Sequence, residues 1–209
     1  MVTSSHNALH QHLKLATAAA HSNLECVLAK RGYFDGREQY IQYLQRFLAF
    51  QEEAERALDT ALTTEAVPDW AARRRAHLAR ADLAMLGAPA RHFPQLSGRL
   101  PQIASAEQVL GIVYVLEGST LGGAYLLRQL APLGITAVQG GSYLASYGSD
   151  RGKMWQRFLF TLEEAHLRQA RAEVIAAAAV ATFSAARYYL TEAEPVGVVS
   201  AARACAMMA

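Results

Sequence analysis

The sequence predicts an all-α fold, a helical bundle, and three observations lead there. Apolar residues recur at spacings of three and four over most of the chain. No run alternates apolar and polar residues with the period of two that a half-buried strand requires. Glycine- and proline-bearing breaks separate the periodic stretches, and no internal repeat is visible. At 209 residues the chain suits a single domain, 1–209, with its core over about 6–190.

Residues from about 6 to 30 set Leu9, Leu13, Ala16, Ala20, Leu24, Val27 and Leu28 on one stripe of a first helix, which Gly32 ends. After an Asp35-Gly36 turn, Tyr40, Tyr43, Leu44, Phe47, Leu48 and Phe50 carry a second, aromatic-rich helix to about Leu62, with Glu52, Glu53, Glu55 and Arg56 as its charged face. Asp69 stands where it would cap a third helix, Trp70 to Met85, which Gly87 and Pro89 close. Residues 87–101 read as loop, and the next helix, Glu107 to Leu130, is the longest apolar stretch. Pro132 and Gly134 break it. The connection from Gly140 to Gly152 holds Tyr143 and Tyr147 and is long enough to serve a site. Two further helices, Lys153 to about Arg168 and Ala172 to Leu190, precede a tail of small residues, 191–209, expected to fray.

Composition narrows the function classes. A net charge of +2 with both signs interspersed gives no basic stripe for nucleic acid, and Arg73-Arg74-Arg75 is short enough to be a solvated helix face. Cys26 and Cys205 are far apart, so neither a disulfide framework nor a cysteine metal site is indicated. The N-terminus has no charged region followed by an apolar block, and a cytoplasmic protein is expected.

The long apolar helix contains Gly118, Gly122 and Gly123 around Ser119 and Thr120. Each interior glycine costs roughly 1 kcal/mol relative to alanine, so something there requires backbone close at hand. Close packing of two helices is one reading, since Gly118 and Gly122 are four apart. A flat, bulky ligand lying across the helix is the other. A membrane span is the weakest, because Glu117 and Arg128 interrupt the apolar run.

On the first helix, His21 falls on the flank of the apolar stripe, roughly 80° from its centre at 100° per residue. Glu25 follows one turn later, and Lys14 lies two turns before, about 10 Å away. The bland reading is a boundary histidine bonded to a backbone carbonyl. The functional one is an imidazole ligand whose second nitrogen is oriented by Glu25, with Lys14 reaching an anionic end of the ligand. Of the other histidines, His6 and His10 at i, i+4 read as part of a solvent-facing cluster. Glu163 and His166 form one Glu-x-x-His pair; a di-iron carboxylate bundle needs a second pair, which is absent, so both read as surface residues.

The segment T-A-A-A-H-S-N-L-E, followed some ninety residues later by L-E-G-S-T-L-G-G in an apolar helix, resembles the haem oxygenases, especially the bacterial biliverdin-producing type that supplies bacteriophytochromes. The resemblance spans the first helix to Leu190 and is densest over Thr17–Glu25 and Tyr114–Gly123. It implies haem held between a proximal helix and a kinked, glycine-rich distal helix, with His21 as iron ligand, Glu25 beside it, and Gly118, Gly122 and Gly123 letting the distal backbone lie over the porphyrin. Lys14 matches a position that contacts a haem propionate, Lys153 or Arg157 would serve on a late helix, and Phe183 would pack on the haem edge. Many family members carry an aspartate directly after the first distal glycine. Here Ser119 stands there, so Ser119, Thr120 and Glu117 become the candidates for hydrogen bonding to bound oxygen.

The function this implies is oxidative cleavage of haem by dioxygen to biliverdin, carbon monoxide and ferrous iron. No flavin or nicotinamide fingerprint is present, so electrons would come from a ferredoxin or reductase. A bacteriophytochrome is a candidate recipient of the product. The rival from another class is a non-catalytic haem carrier or sensor, which Ser119 in place of aspartate favours; a bundle binding a different small molecule is the third reading.

Overall fold

The computed structural model describes residues 8–93 and 99–192. Among the described residues there are eight α-helices, α1 Ala8–Arg31, α2 Arg37–Ala57, α3 Ala61–Ala66, α4 Ala76–Met85, α5 Ala106–Leu130, α6 Ser142–Ala145, α7 Arg151–Leu167 and α8 Ala172–Thr191, with 3₁₀ turns at Trp70–Arg73, Ala131–Leu133 and Gly148–Asp150. Among the described residues there is no strand, only isolated bridges around Thr136. The core is one apolar cluster to which every long helix contributes, from Leu9 and Leu13 on α1 to Leu190 on α8. The tail expected beyond residue 192 lies outside the described residues, as does His6.

Helices α5 and α8 form the centre of the bundle, and α1 lies along α8. Both central helices are long and apolar enough to cross a membrane. More than half of each apolar stretch is instead buried in the bundle, so the apolar run that raised the membrane reading is accounted for by the core. Close approach of α5 to α8 depends on Gly111: a Cβ there would lie 2.4 Å from the Ile175 carbonyl oxygen. The N-terminal half of α1 is held in the core by Leu9, Leu13 and Thr17, all buried, and the Thr17 hydroxyl satisfies itself within the helix by donating to Leu13 O at 2.8 Å. Gly32, at φ +59°, ends α1 where a side chain would be strained.

The second helix stops at Ala57, short of the expected Leu62. Thr60 then caps a separate short helix, its hydroxyl oxygen accepting from Thr63 N at 3.3 Å. The expected helix from Trp70 to Met85 is also divided. Trp70–Arg73 is a 3₁₀ turn, Arg74 is extended at φ −69°, ψ 129°, and α4 begins only at Ala76. Asp69 does not cap the turn with its side chain; its carboxylate takes Arg73 Nε at 2.7 Å and Nη2 at 2.9 Å.

That break overturns the reading of the arginine run. Arg73 and Arg75 are 1% and 2% exposed, and only Arg74 faces solvent. An extended residue between them turns alternate side chains the same way, so both guanidiniums enter the protein. Glu55 leaves the expected charged face for the same reason: its Oε1 accepts Arg75 N at 2.7 Å and Ala76 N at 2.8 Å, satisfying the two backbone donors exposed where α4 starts.

Candidate functional site

Helix α5 runs unbroken from Ala106 to Leu130, but its two sides differ. A Cβ built at Gly118 or Gly122 meets nothing within 4 Å, and Ser119, Leu121, Gly122 and Tyr125 are exposed. The packing explanation therefore fails at Gly118 and Gly122, which border open space. It holds at Gly123, where a Cβ would lie 2.2 Å from Leu144 O on α6. Gly123 thus belongs to the contact with α6 and not to the open face, a correction to its expected place with the other two. The carbonyls of this turn are bonded by side chains: Ser119 Oγ donates to Leu116 O at 2.6 Å and Thr120 Oγ1 to Glu117 O at 2.7 Å.

On α1, His21 is exposed, and its Nδ1 lies 3.3 Å from Glu25 Oε2. The i, i+4 spacing puts both side chains on one face, so the carboxylate lies against Nδ1 and not against Nε2. Phe183 of α8 supports the imidazole edge-on, with ring centroids 5.8 Å apart. Glu25 is thus beside His21 as expected, whereas the contact of Phe183 with the imidazole was not anticipated. Lys14 is exposed on the same helix, one turn beyond His10.

His10 does not belong to a solvent-facing cluster. Its ring packs edge-on against Tyr114 at 6.3 Å and Trp155 at 5.6 Å, where α1, α5 and α7 meet. Burial there, reinforced by Lys14, holds the imidazole below its ordinary pKa and so neutral. Glu163 and His166 are half-buried on α7 rather than fully at the surface. Among the described residues no group of three or more His, Cys, Asp or Glu side chains could hold a metal ion.

Behind the glycine turn lies a polar network that sequence reasoning missed. Glu117 is 1% exposed; its Oε2 accepts Arg73 Nη1 at 2.6 Å and its Oε1 accepts the Tyr147 hydroxyl at 2.7 Å. Burial pulls the Arg73 pKa down, but Asp69 and Glu117 outweigh it, so the guanidinium stays charged. Arg75 Nη2 donates to Leu116 O at 2.6 Å and lies 3.5 Å from Ser119 Oγ. The Tyr143 hydroxyl donates to Gln51 Oε1 at 3.0 Å, and Gln51 Nε2 donates to Glu55 Oε1 at 2.9 Å. Burial pushes the Tyr143 phenol up to about 12, and burial together with the Glu117 carboxylate raises that of Tyr147, so both remain hydrogen-bond donors. Asp82 of α4 anchors this connection by accepting Ser142 N at 2.9 Å, Ser142 Oγ at 2.7 Å and Tyr143 N at 2.7 Å.

One signal for this network was present in the sequence. A carboxylate at position 117 inside an apolar helix requires a buried partner, although the sequence does not say which. Glu117 does point inward, yet both of its oxygens are already engaged by Arg73 and Tyr147. Lys153 is exposed and pairs with Asp150 at 2.9 Å. Arg157 pairs with Asp69 at 3.1 Å and lines a groove of about 700 Å³ between α3, α5 and α7 that contains neither His21 nor the α5 glycines.

The family model described as Heme oxygenase matches residues 7–192. The heme oxygenase PigA of Pseudomonas aeruginosa is 30% identical over 178 residues, covering 85% of this chain and 89% of that protein. A heme oxygenase of Xanthomonas campestris pv. campestris is 32% identical over 150 residues, covering 71% of this chain and 86% of that protein. Among solved structures, the NO- and CO-bound heme oxygenase from Neisseria meningitidis superposes with a TM-score of 0.75 at 26% identity, covering 87% of this chain and 89% of that one. The heme oxygenase of Leptospira interrogans, at 17% identity and a TM-score of 0.68 over 88% of this chain and 99% of that one, shares the fold. With an all-α bundle, an exposed imidazole on the first helix and an open glycine face on the fifth already in place, the match over residues 7–192 shows that the chain belongs to the haem oxygenase family.

Proposed function

We propose that the chain cleaves haem oxidatively to biliverdin, carbon monoxide and ferrous iron, holding the substrate between α1 and α5, with His21 as iron ligand through Nε2. Two observations support the reading: an exposed imidazole on α1 with a carboxylate at its Nδ1, and glycines on α5 whose Cβ positions meet nothing within 4 Å. A carboxylate at His21 Nδ1 fixes the tautomer that leaves Nε2 a ligand, and Gly118 and Gly122 leave room for a flat macrocycle to approach main chain. Haem, as substrate, supplies the iron at which dioxygen is activated.

The protein's own part is to bind, orient and exclude. Glu25 holds the imidazole, and Phe183 packs against its edge. The exposed Lys14 on α1 is the cation offered to a propionate. Lys153 and Arg157 are each engaged with a carboxylate, which makes them weaker candidates for that role. Ser119 is exposed beside Gly122, so its oxygen is the side-chain group nearest to hand on the open face of the glycine turn. Electrons arrive from an external ferredoxin or reductase in this reading, and a bacteriophytochrome is a recipient to test.

Because the Ser119 hydroxyl already donates to Leu116 O and both Glu117 oxygens are bonded, a haem carrier or sensor remains the second reading. Adding haem, a reductant and oxygen separates the two. Loss of the Soret band with growth of biliverdin absorption supports the oxygenase, whereas a Soret band that survives repeated reduction in air supports the carrier. Analysis of the biliverdin isomer then gives the meso carbon attacked.

A further inference from the structure

The connection between α5 and α7 backs the glycine turn, and α4 holds it in place. Its Leu144 carbonyl abuts Gly123 of α5, and its Tyr147 hydroxyl donates to Glu117. On the α4 side, Asp82, only 2% exposed, accepts from the Ser142 and Tyr143 amides. A further tie is of another kind. Gly140 N donates to the thioether sulfur of Met85, the last residue of α4, at 3.2 Å, and Met85 is 51% exposed. The Gly140 backbone is fixed closely around this bond: its carbonyl accepts the Tyr40 hydroxyl at 3.1 Å, and a Cβ on it would lie 2.7 Å from Leu86 Cδ2.

A thioether is a weak hydrogen-bond acceptor and, unlike the Asp82 carboxylate, it reacts with mild oxidants. Hydrogen peroxide transfers one oxygen atom to such a sulfur. A sulfur lone pair forms the new S–O bond, the O–O bond breaks, the sulfur loses an electron pair to the peroxide, and the second oxygen leaves as water. At 3.2 Å there is no room for an oxygen atom between the Met85 sulfur and Gly140 N. The oxygen can be placed only by turning it to solvent, which leaves the amide facing a sulfur of positive character, or by withdrawing the side chain from Gly140. Either outcome breaks the tie.

We propose that Met85 is an oxidation site for hydrogen peroxide, and that its conversion to the sulfoxide frees the Gly140 amide and loosens residues 140–147 behind α5. Two-electron reduction of dioxygen yields peroxide, so under the function proposed above the oxidant arises at the protein itself whenever electrons reach oxygen without attack on the macrocycle. The modification needs only Met85 and peroxide. Failure of the oxygenase reading would appear in haem turnover and is distinguishable from failure of this one, which is read without haem.

The test treats the full-length protein, without added haem, with hydrogen peroxide and follows it by peptide mass spectrometry and amide hydrogen exchange. Met85 should gain its oxygen ahead of the half-buried Met154, and exchange over residues 140–147 should quicken about fivefold, the scale of one lost hydrogen bond. Methionine sulfoxide reductase should return the slow exchange. Met85→Leu fills similar space without an acceptor, so it should exchange at the raised rate from the start and be indifferent to peroxide. That variant keeps Met1, Met154, Met207 and Met208, so a peroxide response that persists in it comes from another residue and overturns the proposal. Met85 left reduced while Met154 reacts, or Met85 oxidised with unchanged exchange over 140–147, overturns it as well.

Discussion

The Arg73 guanidinium lies 2.6 Å from the Glu117 carboxylate, and the two side chains are 0% and 1% exposed. A pair this deeply buried joins the Trp70–Arg73 turn to α5 one residue before the glycine turn begins. Asp69 takes the other edge of the guanidinium and the Phe158 ring lies 5.8 Å from its Cζ, so the arginine bridges α5, α7 and the chain between α3 and α4.

Removing one partner of this pair leaves a buried charge uncompensated. Arg73→Met should destabilise the protein by about 3–5 kcal/mol, and the double variant Arg73→Met with Glu117→Gln should recover a large part of that loss. Denaturant unfolding of the wild type, both single variants and the double variant measures the coupling. A loss below about 1 kcal/mol for Arg73→Met would show the pair to be solvated in solution.

The two neighbouring glycines should behave in opposite ways. Gly123→Ala drives a methyl to 2.2 Å from the Leu144 carbonyl oxygen and should cost at least about 2 kcal/mol. Gly122→Ala meets open space and should gain up to about 1 kcal/mol of helix stability, whereas Gly122→Leu should keep the fold and block haem uptake. Thermal unfolding and haem titration of the three variants test this, and full haem affinity in Gly122→Leu would place the substrate elsewhere.

His21→Ala should remove the axial ligand and abolish turnover with little effect on folding. The side chain is 56% exposed, so its loss should change stability by no more than about 0.5 kcal/mol. Absorption and EPR spectra of the haem complex, with circular dichroism as the folding control, provide the check. Wild-type turnover in His21→Ala would reject the ligand assignment.

Acid sensitivity should trace in part to His10. Burial among Tyr114 and Trp155, then the Lys14 charge, depress its folded-state pKa below the 6.5 of an unfolded chain. The unfolded state therefore binds the proton first. The stability contributed by the neutral imidazole is complete above pH 6.5 and is lost as pH falls from there through the depressed folded value. Melting temperatures between pH 7.5 and 5 should fall less steeply for His10→Phe than for wild type. Parallel slopes would show His10 to be solvated.

Elements with strong periodicity were legible in the sequence to within a few residues: α1, α5, α7 and α8 begin and end close to where their apolar stripes do. The short segments between residues 57 and 76 were not, because a six-residue helix and a 3₁₀ turn are too brief to show a period and are fixed by what they pack against. The relation of His21 to Glu25 was readable because it is local, one helical turn. Its contact with Phe183 joins positions 162 residues apart, and helix periodicity alone does not specify it.

The sequence by itself determined an all-α chain, the family, the imidazole with its carboxylate and the glycines at 118 and 122, since each depends on residue type and short-range spacing. Only the tertiary structure decided that Gly123 serves α6 while Gly122 faces open space, and that Arg73, Arg75 and Glu55 lie inside. Charge is a poor guide to burial when desolvation is offset by partners distant in sequence. Glu117 and Arg73 are separated by 44 positions, and the bond between them forms only once the helices have packed.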